Sequence, residues 1–260
     1  YMLNFGEGVK VDLQGAIKYF KMAIDKGDEV AMLNYGEMLK NGEGCEVNYQ
    51  EAIKYFKMAI DKGDPTAMNN YGNMFELGQG VDINYQEAIK YYKMSIDKGD
   101  PAAMCNYAKL LRDGVGVKKD LNEAIKYFKM SIDGGFENAM YHYANMLMDG
   151  LGVEVDIKKA IKYYKMAIDN DHAPSMNAYA EMLWKGDKIE ANKKEAIKYF
   201  KMAIDNNDTD AMLNYGKILC EGNESEINIK KGIKYITKAS DKKDEIAQSY
   251  LGLLYLKGDI

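Results

Sequence analysis

The 260-residue chain contains very little proline, cysteine, histidine or tryptophan, with three, three, two and one residues respectively. So little proline excludes a polyproline or collagen-like rod and leaves long stretches free to be helical. Cys45, Cys105 and Cys220 stand in unrelated surroundings and form no disulfide framework, so a reducing, cytoplasmic setting is expected. His142 and His172 have no cysteine or carboxylate partner at zinc-binding spacing, and neither a metal site nor another cofactor is expected. No stretch reaches the roughly 18 apolar residues of a membrane span, and the first residues lack the basic-then-apolar layout of a signal peptide. An excess of one charge is missing as well. The 35 basic and 40 acidic residues leave a formal net charge of -5, which gives no electrostatic reason to expect nucleic acid or an anionic membrane as partner.

What is present is a period. Ala-Ile-Lys-Tyr begins at Ala16, Ala52, Ala88, Ala124, Ala160 and Ala196, and Gly232 opens a near copy, every step being 36 residues. A unit of this length cannot bury its apolar face alone, and stacking copies makes a solenoid. The expectation is an all-α solenoid of about seven helix-turn-helix repeats, forming one array over residues 1–260. Tyr1-Met2-Leu3 aligns with Glu37-Met38-Leu39 inside a helix, and Ile260 falls in the turn after another. Both edges therefore cut through a repeat, and a segment of a longer protein is expected.

Punctuation sets the helices of each repeat. Asp64-Pro65 reads as an N-cap followed by proline at the first helical position, so a first helix, A, is predicted from about Pro65 to Leu77. Gly78 ends it, and Asn84 with Glu87 three residues later forms a capping box for a second helix, B, from about Tyr85 to Lys98. Asn48/Glu51, Asp120/Glu123 and Asn192/Glu195 repeat that signal. At 100° per residue, Ala67, Met68, Tyr71, Met74 and Phe75 share an arc of helix A, with Asn69, Asn73 and Glu76 opposite. In helix B, Tyr85, Ala88, Ile89, Tyr92, Ser95 and Ile96 lie on one side and Lys90, Lys93 and Asp97 on the other.

The run Ala67-Met-Asn-Asn-Tyr-Gly72, the turn Gly78-Gln-Gly80-Val81, Glu87-Ala-Ile-Lys-Tyr-Tyr-Lys93 and Lys98-Gly99 together resemble the SEL-1-like repeat, a relative of the tetratricopeptide repeat. The resemblance covers nearly the whole chain. It implies a right-handed α-superhelix that acts as an adaptor in multiprotein complexes, and in protists such arrays can accompany kinase domains. The pattern weakens late in the chain, where Lys188 and Glu224 replace the second turn glycine and Lys159 and Lys231 replace the capping-box glutamate. Looser or differently bent turns are expected there.

Most residues that suggest chemistry are explained by architecture. The recurring Gly-x-Gly is turn punctuation, since a phosphate loop needs a preceding strand and occurs once. Cys105 lacks any recurring histidine to serve as its base, so no catalytic residue is expected. Lys18, Lys54, Lys90, Lys126, Lys162, Lys198 and Lys234 form a row on helix B, with a second row from Lys21 to Lys201; nearby Glu51 and Asp61 make this a mixed-charge solvated face rather than a phosphate track. Methionine and tyrosine recur in a few repeat positions and read as core.

Two departures carry more information. Met148, Trp184, Cys220 and Leu256 occupy one helix A position that holds Lys40, Glu76 and Arg112 earlier, making an apolar stripe in the C-terminal half. This stripe is either a partner site on a concave groove or a surface buried by superhelical curvature. Asn34, Asn70, Asn106 and Asn214, interrupted by His142 and Ala178, could clamp a peptide backbone, as related tetratricopeptide grooves do, or satisfy groups of their own or neighbouring repeats. The expected function is a non-catalytic protein-binding scaffold. A structural part of a larger cytoskeletal or organellar assembly, and an accessory region of an enzyme such as a kinase, stand as alternatives.

Overall fold

A computed structural model describes residues 11–221 and 228–257. Over those residues the chain is an α-solenoid array of fourteen helices. It divides into two compact units, which meet in sequence at Phe136 and Glu137. The first contains α1 (Leu13–Ile24), α2 (Glu29–Asn41), α3 (Tyr49–Asp61), α4 (Pro65–Leu77), α5 (Tyr85–Ile96), α6 (Pro101–Asp113) and α7 (Leu121–Asp133). The second contains α8 (Glu137–Asp149), α9 (Ile157–Ile168), α10 (Ala173–Lys185), α11 (Lys193–Asp205), α12 (Thr209–Glu221), α13 (Ile229–Asp241) and α14 (Glu245–Lys257). Within each unit, a helix A packs on helix B of its own hairpin and on helix B of the preceding one.

The caps lie where the sequence puts them. Asp28, Asp64, Asp100 and Asp208 accept backbone N–H groups at the start of helices A, and Asn48, Asn84, Asp120 and Asn192 do so for helices B. The glutamate of the capping box is dispensable, because Asp156 and Asn228 still accept the N–H of Lys159 and Lys231.

Three contacts hold each hairpin and stack it on the next. Phe56, Tyr92 and Ile236 of helix B sit against Gly36, Gly72 and Gly216, where an added Cβ would come within 2.8, 2.8 and 2.5 Å. Tyrosines pair across the hairpin, as in Tyr71–Tyr91 at 4.7 Å and Tyr179–Tyr199 at 5.1 Å between ring centroids. The second lysine row reaches the next repeat: Lys21, Lys57, Lys93 and Lys165 place their ammonium groups 5.1 to 5.5 Å from the rings of Tyr35, Tyr71, Tyr107 and Tyr179. That row therefore bridges repeats as well as facing solvent.

Helix A differs from the two-arc expectation. Asn69 and Asn70 are buried beside Met68 and Tyr71. A solenoid sandwiches helix A between neighbours, so its polar arc meets the next helix A instead of water. The methionine reading also needs correction at one position: Met22, Met94 and Met130 of helices B are 49, 36 and 38% exposed and are not core.

The turns of the two units differ at one described position, since Gly152 of the second unit still adopts positive φ. In the first, Gly44, Gly80 and Gly116 adopt positive φ, and a Cβ on Gly116 would lie 2.2 Å from Tyr85 Cβ of the preceding repeat. Gln14, Gln50 and Gln86 donate to the Gly44, Gly80 and Gly116 carbonyls at 2.5, 2.5 and 2.6 Å, stapling each turn to the helix B before it. In the second, Lys188 stands at the second glycine position without positive φ. Gly186 keeps its left-handed cap to Met182, but the bond that Gln79 makes to Met74 has no counterpart from Asp187. Lys188 instead donates to the Met148 carbonyl at 3.2 Å and lies 3.7 Å from Asp149, a cation at the C-terminus of α8. This turn is bent differently, as its sequence suggests. Glu224 lies outside the described residues, as do Tyr1-Met2-Leu3 and Ile260.

Candidate partner-binding face

Successive helices A bring the asparagine row together, and its amides are engaged. Asn70 donates to Glu37 at 2.7 Å, Asn106 to Asn69 at 2.9 Å and Asn73 at 3.2 Å, and Asn214 to Glu181 at 2.8 Å and Asn177 at 3.3 Å. Each reaches back one repeat. Asn34 donates to Val30 of its own helix. These amides join neighbouring helices A, and a peptide would have to compete for them.

The same network reaches helix B through tyrosine. Tyr92 donates to Asn73 at 2.6 Å and Glu76 at 2.5 Å, and Tyr164 donates to Asn145. Burial raises both hydroxyls well above the usual tyrosine range, with the Glu76 carboxylate adding to the effect at Tyr92. Where the helix A residue is Glu37, Lys109 or Glu181, the aromatic partner is Phe56, Phe128 or Phe200, which has no hydroxyl to satisfy.

Met148, Trp184, Cys220 and Leu256 do not share one environment. Met148 is buried. Trp184 is half-buried, with Lys193 Nζ 4.9 Å from its ring. Cys220 packs on α13, where a Cβ added to Gly232 would approach its Sγ to 2.5 Å and the Gly216 carbonyl to 2.7 Å. That crowding is why the seventh copy of Ala-Ile-Lys-Tyr begins with glycine. Leu256 is 86% exposed on α14.

In the second unit, a hollow of about 210 Å³ has Met148, Ala178 and Met182 as apolar lining and Glu181, Lys185, Asp187 and Lys188 as charged lining. Ala178 contributes a small side chain to its lining. Ala178 stands where Asn70, Asn106 and Asn214 each fill the space to the preceding helix A. Lys185 pairs with Glu181 at 2.7 Å. Met182, Glu181 and Lys185 were not anticipated as site residues; the only sequence signals were Ala178 breaking the asparagine row and Lys188 breaking the glycine rule.

His172 caps α10 at the position held by Asp28, Asp64, Asp100 and Asp208 in other copies. Its Nδ1 accepts the Ser175 N–H at 3.3 Å and lies 2.9 Å from Ser175 Oγ, and its Nε2 lies 3.2 Å from Asn138 Oδ1. Burial lowers its pKa, opposed by the Glu137 carboxylate. Among the described residues, no group of three or more His, Cys, Asp or Glu side chains could hold a metal ion, and no helix is long and apolar enough to cross a membrane.

The hairpin, its caps and its stacking contacts agree with sequence comparison. The Sel1 repeat profile matches residues 1–28, 30–64, 65–100, 101–136, 138–172, 173–208, 209–244 and 246–260. The chain belongs to the Sel1 repeat family. Members of this family are in general protein-interaction scaffolds. Among solved structures, a Sel1 repeat protein from Oxalobacter formigenes is similar at 26% identity and a TM-score of 0.75, over 92% of this chain and 99% of that one. The protective antigen c5321 of uropathogenic Escherichia coli, which displays the same repeat fold, matches at 23% identity and a TM-score of 0.59 over 98% of this chain. This chain spans 55% of that antigen's length. Immunity protein Pa5087 from Pseudomonas aeruginosa is similar at 15% identity and a TM-score of 0.63, over 82% of this chain and 81% of that one. No curated protein matches the chain.

Proposed function

We propose that these Sel1 repeats form a non-catalytic scaffold that binds a protein partner on the helix A face of the second unit, with the hollow beside Ala178 receiving an apolar side chain. One observation supports this reading above the others: where the repeat supplies an asparagine, this chain supplies Ala178 and leaves an open space with methionine on its walls. Methionine adapts its shape to varied partners, and a small apolar hollow ringed by both charges suits an anchor residue flanked by polar sequence. Trp184 and Leu256 lie outside the hollow lining and would extend the contact along the same helices A.

The test uses peptides selected on the intact chain from a random library, with affinity read by calorimetry. Ala178→Asn restores the asparagine of the sister repeats and fills the hollow without disturbing the fold. Affinity is expected to fall at least about tenfold, equivalent to about 1.4 kcal/mol. Unchanged affinity in the folded variant removes the hollow from the reading, and failure to select any peptide at this face removes the reading itself.

A further inference from the structure

A different surface, on the helices B of the first unit, departs from what a solvated face requires. Lys18, Lys54, Lys90 and Lys126 form one exposed row, Met22, Met58, Met94 and Met130 a second, and Asp25, Asp61, Asp97 and Asp133 a third. Residues four and then three apart share a helix face, so the rows run side by side with methionine in the middle. The exposed position of Val30 holds Thr66 in the next copy, whereas these three rows, like the lysine row from Lys21 to Lys129, hold one residue type throughout the unit.

Intramolecular contacts do not explain the aspartate row. Asp25 and Asp97 are C-caps, and Asp61 and Asp133 are the last residues of their helices, where a carboxylate opposes the helix dipole. Among the described residues, none of the four is in an ion pair. Three of the four methionines lie at least a third open to solvent. The face therefore retains an unfavourable charge in every repeat and exposed apolar surface in three of the four, Met58 being partly buried against the core.

The order of the rows indicates what would satisfy them. A half-turn about an axis lying in the face along the methionine row turns a second copy over onto the first, so that lysine rows meet aspartate rows and methionine meets methionine. We propose that this stripe is a self-recognition surface, at which a second copy of the chain docks with its stripe turned over, lysine row on aspartate row and methionine on methionine. A two-fold contact of this kind is self-complementary. Nucleic acid and anionic membranes fit it poorly, because the aspartate row would repel them. The twelve side chains fall below the roughly 20–30 residues a side of a stable interface, so the association is weak, concentration-dependent and salt-sensitive.

Sedimentation equilibrium of the whole chain over a concentration series tests this proposal. The unmodified chain should associate as concentration rises and dissociate as salt is added. Two variants are then compared, each confirmed as folded by circular dichroism: Lys54→Asp with Lys90→Asp, and Asp61→Lys with Asp97→Lys. Alone, each carries charge of one sign in both rows of its two central repeats and should associate at least about tenfold more weakly. Mixed in equal amounts, they should associate again, since acidic central repeats then face basic ones. Met94→Lys, a single exposed change, should weaken association in the unmodified background. A chain that stays monomeric at every concentration overturns the proposal, as does association unaffected by these changes or a mixture no better than its parts.

Discussion

The first unit repeats three devices almost without change, whereas the second departs from each of them at one or more copies. Gln14, Gln50 and Gln86 staple three successive glycine turns, but Lys158, Lys194 and Lys230 occupy that position later. Asn70 and Asn106 fill the space between helices A, where the second unit has Ala178 before Asn214 resumes the row. Asp64 and Asp100 cap helices A, and His172 takes over that role in α10. The same hairpin thus serves two ends. Where every device is retained, the array is held in register. Where devices are lost, hollows and titratable groups appear, and specific recognition can be built on a scaffold that still folds.

The comparison can be broken most severely at the turns. Gly116→Ala forces alanine into a left-handed conformation and presses its Cβ onto Tyr85, so the first unit should lose about 2 kcal/mol or more, read by denaturant melts. Lys188→Gly, at the same repeat position in the second unit, should change stability by less than about 1 kcal/mol, because that turn already folds without positive φ. Equal losses at both sites would erase the distinction between the units.

Acid should separate them next. Burial holds His172 below its unfolded pKa, so its contribution is complete above the unfolded value near about 6.5 and is lost as pH falls toward the folded one. Protonation also removes the acceptor for the Ser175 N–H and puts a cation at a helix N-terminus. Hydrogen exchange around α10 should therefore accelerate below about pH 6. His172→Asp, which restores the aspartate cap, should abolish that acceleration. An unchanged pH profile in His172→Asp would show that the cap is not the titrating device.

Smaller effects sharpen the account. Gln50→Ala should cost the first unit about 1 kcal/mol by removing the staple to Gly80. Gly72→Ala should cost less than Gly116→Ala despite an approach of 2.8 Å to Tyr92, since Ala108, Ala144 and Ala180 stand at the same position in sister repeats.

The hairpin was legible because its signals are local. Asp64-Pro65, Gly78 and Asn84 fix the ends of α4 and α5, and the period copies them down the chain. The couplings between repeats were less legible because they depend on what each residue meets 30 to 37 positions away. Asn69 and Asn73 looked solvated from their own helix; only stacking shows that Asn106 reaches back to them. The pairing of Asn73 with Tyr92 and Asn145 with Tyr164, against Glu37 with Phe56, was present in the sequence but meaningless until helix A was known to be buried on both arcs. At the candidate site, position alone identified Met148 as exceptional. Ala178, which also lines the hollow, contributes only a methyl group and has no motif of its own.

The central claim is that recognition sits where the repeat is interrupted in the second unit. Backbone and methyl NMR of the intact chain, titrated with a selected peptide, tests it most directly. The account predicts shifts concentrated at Met148, Ala178, Met182, Lys185 and Lys188, with the first-unit asparagines Asn70 and Asn106 unmoved. Shifts centred on those asparagines, with the hollow silent, would contradict it.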